Sequence, residues 1–290
     1  MGIQGKHFDY PELMKVIIVR IIIKKVLPPI FLDVLKCVRY ILILIKHWNL
    51  VHRNKLLKNE HVGETVYILG NGPSLNNYDL KLISACNVIT MNHFELHPMK
   101  NEFNIVAHCI GEPYRASSWE DPSPMLEGVA AETYWFNTDA RAFFRGRNID
   151  NIYFYLQNPS GDCFLNGQNN LASVALSYQS TSQMAISVAM YMGFKKIYLI
   201  GFDHDWLVTR GHSPHFYEER EGIMRAELSA FTYTEMIKIS LNLFNIYSII
   251  KKIADKHNIQ IFNISNPTYL DVFPMIKNHI PEESGVKERG

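Results

Sequence analysis

Thr65-Val66-Tyr67-Ile68-Leu69-Gly70-Asn71-Gly72-Pro73-Ser74-Leu75 is the stretch from which the fold is read. Its first five residues carry no charge and end at a glycine, the length and composition of a strand buried on both faces. Gly70 to Pro73 then force a tight turn, and helix-forming residues resume over 78–84. The same pattern recurs downstream. Asn87–Met91, ending at Asn92, and residues 104–108 read as strands. Residues 182–192 (SQMAISVAMYM) read as a buried helix stopped by Gly193, and 197–200 as a strand ending at Gly201-Phe202-Asp203. Residues 226–256 read as one long helix or two, and 260–264 as a last strand. Alternating strands and helices predict an α/β, Rossmann-like fold, a mainly parallel sheet with helices on both faces, and place ligands beyond the carboxyl ends of the strands. Residues 112–170 are aromatic-rich with weak helical periodicity and read as an inserted subdomain or lid.

The 290 residues are 47% hydrophobic and 20% charged, enough for a full core, which excludes a chain disordered throughout. Net charge is +1, so no protein-wide field favours nucleic acid. The four cysteines, Cys37, Cys86, Cys109 and Cys163, form no CxxC pair; neither a disulfide framework nor a zinc ribbon is indicated, and a reducing compartment is expected.

The near-neutral total conceals a split. Residues 1–58 hold 11 basic and 3 acidic side chains, net +8, and the remainder carries −7. With about 100° per residue, Asp33, Lys36, Arg39, Lys46 and His47 fall in one sector, opposite Val34, Val38, Ile41, Leu44 and Ile45. Such a basic amphipathic helix suits an anionic membrane surface or the face of another domain or subunit. No uncharged run reaches the roughly 20 residues that span a bilayer, and charge within the apolar stretch argues against a signal peptide. The organisation expected is a membrane-associating segment over 1–60, a catalytic domain over 61–280 with a lid at about 112–170, and a tail over 281–290.

Gly70-Asn71-Gly72-Pro73-Ser74 offers backbone amides, glycines and polar side chains at a helix start, suited to a phosphate or simply to a turn. It is neither a Walker loop nor GxGxxG. Asn92 could add an amide contact. Asp203-His204-Asp205 after a strand has the spacing of a DxD element that holds a divalent metal on a nucleotide diphosphate. His204, His212 and His215 lie within twelve residues; with no cysteine among them they suit a general base better than a zinc site.

Taken in order, GNGPSL, Asn92, Thr181-Ser182, the run MGFKKIYLIGFD, a downstream histidine and a strand ending near Asn266-Pro267 give a sequence that resembles the bacterial sialyltransferases of lipooligosaccharide synthesis. It is similar also to proteins of polysaccharide loci grouped with the 6-hydroxymethylpterin diphosphokinase-like family. The likeness spans about residues 64–275 and is dense in 66–75 and 181–205. It implies an enzyme moving a sugar from a CMP-sugar donor to a glycan or lipid-linked glycan without an obligatory metal, and the basic N-terminal helices would hold such an enzyme at the cytoplasmic face of the inner membrane. Asn71, Gly72 and Ser74, following Gly70, match the nucleotide loop. Asn92, Thr181 and Ser182 match donor contacts, Asp203 the acid after the central strand, and His215 the catalytic base. Asp205 departs from the resemblance, standing where the sialyltransferases have a tyrosine that steadies the leaving phosphate; Tyr217 is the nearest phenol that could replace it. A second carboxylate there keeps a cation at Asp203 and Asp205 in play, and with it ATP-dependent diphosphate transfer. A non-catalytic nucleotide-binding subunit is the third reading, and the oligomeric state stays open.

Overall fold

The computed structural model describes residues 29–111, 114–115, 118–119, 123–157, 169–209, 215–216 and 231–277. The chain forms two compact units, 1–46 and 47–290. The described part of the first is helical and belongs to α1 (Pro29–His52), within which the expected amphipathic helix falls. The basic residues before 29 and the tail over 281–290 lie outside the described residues.

The second unit is built on seven strands: β1 (Thr65–Leu69), β2 (Asn87–Met91), β3 (Asn104–Cys109), β4 (Tyr134–Asn137), β5 (Ile152–Tyr155), β6 (Lys196–Ile200) and β7 (Gln260–Asn263). All pair in parallel, in the order β5-β4-β3-β2-β1-β6-β7. A parallel sheet must be covered on both faces, which is why its strands read as unbroken apolar runs. Val66 and Ile68 of β1 pack on one face with α2 (Thr181–Met192) and α3 (Tyr233–Lys256). Small residues such as Ala185, Ser187 and Ala189 let α2 lie buried between sheet and α3. Ser180 caps its start, and Gly193, at φ +100°, ends it. The start of α3 is fixed by a capping box between Thr232 and Glu235; the part of the expected helix before 231 lies outside the described residues.

On the other face, Tyr67 and Leu69 meet Leu75, Leu80, Ile83 and Phe94. These side chains come from 3₁₀ turns, Pro73–Asn77, Leu80–Ile83 and Phe94–Leu96, rather than from α-helices. The helix expected over 78–84 is thus corrected to a short 3₁₀ segment. Asp79 is extended and its carboxylate accepts from Lys81 N at 3.2 Å, so the chain restarts there instead of propagating an α-turn.

The stretch 112–170 contributes two strands of the main sheet, β4 and β5. Trp135 stacks on Tyr153 toward the α-helical face, ring centroids 5.5 Å apart, while Phe136, Phe144 and Phe154 cluster on the other side. With aromatics on both faces, neither run shows the polar alternation that marks a half-buried strand. The edge at β5 is covered by the segment after α1. Asn54, fully buried, donates through Nδ2 to the carbonyls of Phe154 (2.8 Å) and Leu171 (2.7 Å), and Arg53 donates to Ile149 O and lies over the Tyr153 ring. Pairing donors with the outer carbonyls blunts an edge that would otherwise recruit another strand.

From β1 the chain steps outward to β5, then returns through α2 to β6 on the opposite side of β1. Strand order reverses between β1 and β6, and in open parallel sheets the crevice beyond the carboxyl ends at that reversal is where ligands bind.

Candidate functional site

At the reversal the ends of β1 and β6 touch. Gly70 N donates to Ile200 O (2.7 Å) and Gly72 N to Gly201 O (2.9 Å). A Cβ on Gly70 would overlap the Gly201 carbonyl. One on Gly72 would sit 2.7 Å from both the Asp203 carboxylate and Gly201 O. These two glycines are required by the approach of two strand ends, and Gly201, at φ +75°, makes the turn that follows β6.

Asp203 is buried, and its two oxygens accept from Ser74 N (2.8 Å) and from the Ser74 hydroxyl. Burial pushes its carboxyl above the ordinary range, the Ser74 hydrogen bonds pull it down, and the charge of Asp205 raises it. The carboxylate therefore fastens the β1 loop to the end of β6. Leu75 N donates to Gly72 O (3.0 Å), so the amides of Gly70, Gly72, Ser74 and Leu75 are all used within the protein. These four amides are thus engaged by acceptors of the protein itself, and a short 3₁₀ turn rather than an α-helix follows the loop. Between the two glycines the Asn71 side chain is buried, and its Oδ1 has no hydrogen-bond partner.

The Asn71 carbonyl accepts from Phe216 N at 2.8 Å, which brings the neighbouring His215, partly buried, to this loop. The Phe216 ring packs edge-on against His97 and Phe94. Tyr217 and His212 lie outside the described residues.

A second cluster forms where β2 and β3 end. Asn92, at φ +45°, accepts through Oδ1 from Gly111 N (2.9 Å) and the Thr181 hydroxyl (3.2 Å), tying both strand ends to the first turn of α2. A Cβ on Gly111 would overlap the Thr181 hydroxyl. The positive end of the α2 dipole thus opens at the carboxyl ends of the strands.

The third cluster involves Ser182, whose hydroxyl donates to Ser180 Oγ at 3.3 Å. The phenol of Tyr247, a fully buried residue of α3, is pushed up to about 12 by burial, against which both hydroxyls act. Tyr247 also bonds His204 Nε2 at 2.8 Å. The His204 ring packs against Phe244 and Tyr247, and burial pushes it down to about 4. His204 is therefore neutral at physiological pH and already committed to a phenol.

The loop after β7 holds the backbone of this region. Phe202 N donates to Ser265 Oγ (2.9 Å), the Thr268 hydroxyl to Phe202 O (2.7 Å) and Tyr269 N to Asp203 O (2.8 Å). Asp205 begins the short helix Trp206–Thr209, its carbonyl accepting from Val208 N and Thr209 N. Among the described residues no group of three or more His, Cys, Asp and Glu side chains is placed to hold a metal ion. Of the two carboxylates in the DxD spacing, Asp203 accepts from Ser74 through both oxygens.

The structure thus gathers Gly70, Asn71, Gly72, Ser74, Asp203 and His215 at the β1–β6 junction, Asn92 with Thr181 beside them, and Ser182 and His204 around Tyr247 of α3. Two residues of this constellation were not anticipated. Gly111 carries a readable signal, since it is the third glycine, with Gly70 and Gly201, to follow an apolar strand. Tyr247 carries none beyond its place on the buried stripe of a long helix.

No family model matches the chain, and no curated protein matches it. Among solved structures it is similar to the sialyltransferase CST-II in complex with CMP, at 14% identity over 76% of this chain and 89% of that one, TM-score 0.45. It is similar also to the MAf glycosyltransferase from Magnetospirillum magneticum AMB-1, at 14% identity over 80% of this chain and 38% of that one, TM-score 0.45.

Proposed function

We propose that this chain is a glycosyltransferase that takes a sugar from a CMP-sugar and passes it to a hydroxyl of a glycan or lipid-linked glycan. The observation that carries this reading is the gathering of Asn71, Asn92, Thr181 and His215 at strand ends beside the reversal of strand order. Amide and hydroxyl side chains recognise the hydroxyl-rich surface of a nucleoside or sugar without demanding charge. The buried Asn71 Oδ1 can accept one donor from such a ligand, and the start of α2 favours the anion that leaves.

In this scheme His215 takes the proton of the acceptor hydroxyl. The resulting oxygen attacks the anomeric carbon in line, the bond from that carbon to the phosphate oxygen breaks, and the nucleoside monophosphate departs with the electron pair. The sugar is transferred with inversion. Asp203 acts through Ser74 by holding the shape of the loop. Its engagement there weighs against diphosphate transfer from ATP and magnesium, which needs carboxylates open to a metal.

Thermal-shift titrations with CMP, CDP, UDP, GDP and ATP, each with and without EDTA, test the donor class. Stabilisation by CMP that EDTA leaves unchanged is expected; a response confined to ATP with metal would replace this reading with the diphosphokinase one, and no response to any nucleotide would end both. His215→Ala should lower turnover by about a hundredfold or more while CMP binding persists. A fully active variant removes His215 from the base role.

A further inference from the structure

The function proposed above uses nothing of α1. On this helix Val34, Val38, Ile41, Leu42 and Ile45 are 48 to 65% exposed. At about 100° per residue they occupy a single arc of roughly 100°, a continuous apolar stripe about three turns long. Exposed apolar residues scattered singly need no explanation, but a contiguous stripe of five large ones marks a surface that is covered in use. Arg39 and Lys46, both exposed, come next around the circumference on the Leu42 side.

The chemistry of the covering surface follows from charge. The segment 1–58 carries net +8, so pairing two copies through this stripe would set +8 against +8, whereas an anionic surface is complementary to it. No helix among the described residues is long and apolar enough to cross a bilayer. A helix with a strong apolar stripe, flanking cations and insufficient length of apolar sequence to span lies in the interface plane, its apolar side at the acyl boundary and its cations at the headgroups. We infer that α1 is an in-plane anchor for an anionic phospholipid bilayer, with Val34, Val38, Ile41, Leu42 and Ile45 entering the boundary and Arg39 and Lys46 at the phosphates.

The test is co-sedimentation of the full chain with phosphatidylcholine vesicles that contain or lack phosphatidylglycerol. The wild type should sediment with the anionic vesicles, remain in solution with the neutral ones, and be released by salt. V38E/I45E should reduce partitioning about tenfold or more, since each substitution removes the burial of a whole apolar side chain. R39Q/K46Q should reduce it about fivefold for each cation. Unchanged circular dichroism and an unchanged urea midpoint in both variants would separate loss of the anchor from loss of the fold, and neither readout depends on the transferase reading. Absence of wild-type binding to anionic vesicles overturns the inference, as does equal sedimentation of V38E/I45E. A lipid-free dimer that V38E/I45E turns into a monomer also overturns it, by assigning the stripe to a second copy.

Discussion

Gly72→Ala isolates what holds the two strand ends together. Gly72 has φ −67° and ψ 152°, a conformation alanine adopts freely, so no backbone strain is introduced. The added methyl would instead lie 2.7 Å from the Asp203 carboxylate and 2.7 Å from Gly201 O, both well inside van der Waals contact. Gly201 O is backbone in the turn after β6, so relief takes both a displaced Asp203 side chain and a shift of the loop away from Gly201 O. Moving the carboxylate breaks the hydrogen bonds from Ser74 N and the Ser74 hydroxyl, each about 1.5 to 3 kcal/mol for a charged acceptor. The expected loss is about 4 kcal/mol, which for a domain of this size lowers the melting temperature by roughly 10 °C. Equilibrium urea unfolding of Gly72→Ala, Asp203→Ala and the double variant supplies the assay. Because Asp203→Ala removes one of the two groups that the methyl strikes, together with the hydrogen bonds the methyl would break, the two penalties should fall short of additivity by at least about 1 kcal/mol. A Gly72→Ala protein that melts within about 2 °C of wild type, or strictly additive penalties, would refute the clamp.

Acidification should reveal His204. Its folded-state value, about 4, lies below that of the unfolded chain, so the unfolded state takes up the proton first. The stability is complete above about pH 6.5 and is lost as pH falls toward 4, by about 3 kcal/mol. His108, fully buried and pushed down to about 3 by burial, adds a loss of the same sign. Urea midpoints at pH 7 and 4.5 should differ less in His204→Gln than in wild type; identical differences would show that this ring does not titrate as argued. Asn92→Gly keeps the positive φ but removes the acceptor shared by Gly111 N and the Thr181 hydroxyl. It should cost about 1 to 3 kcal/mol of stability and weaken CMP binding in calorimetric titration, and unchanged affinity would detach this cluster from the donor site.

Much of this architecture is legible along the chain, for reasons that differ from element to element. β1 is readable because a strand buried on both faces must be apolar throughout, and TVYIL followed by a glycine allows little else. Residue for residue, α2 is nearly as plain, with Ser180 before it and Gly193 after it. β4 and β5 escape notice because YWFN and IYFY place large aromatics on both faces, which removes the alternation a reader relies on. The 3₁₀ turns escape for the opposite reason. Residues 78–84 have helical composition, but the Asp79 side chain competes for Lys81 N and the sequence does not announce which hydrogen bond wins. The His204–Tyr247 bond joins residues 43 apart and depends on how α3 settles on the sheet, which no local pattern encodes.

The most motif-like residues of the chain are also those most engaged in hydrogen bonds within the protein. Gly70, Gly72 and Ser74 look like a phosphate loop, yet their amides are donated to Ile200 O, Gly201 O and Asp203. Asp203 looks like a catalytic or metal-binding acid, yet both its oxygens are taken by Ser74. A strongly patterned turn is what two strand ends need in order to meet at hydrogen-bond distance, with or without a ligand. Meeting so closely has a consequence for the residue between the glycines. Asn71 cannot rejoin the sheet, so its carbonyl is left to bind Phe216 N and its side-chain oxygen is left buried and unpaired. On the proposed reading the clamp and the recognition element are adjacent residues with opposite duties, and substituting the clamp should abolish binding only by unfolding the loop. Substituting Asn71 should abolish binding in a protein that remains as stable as before.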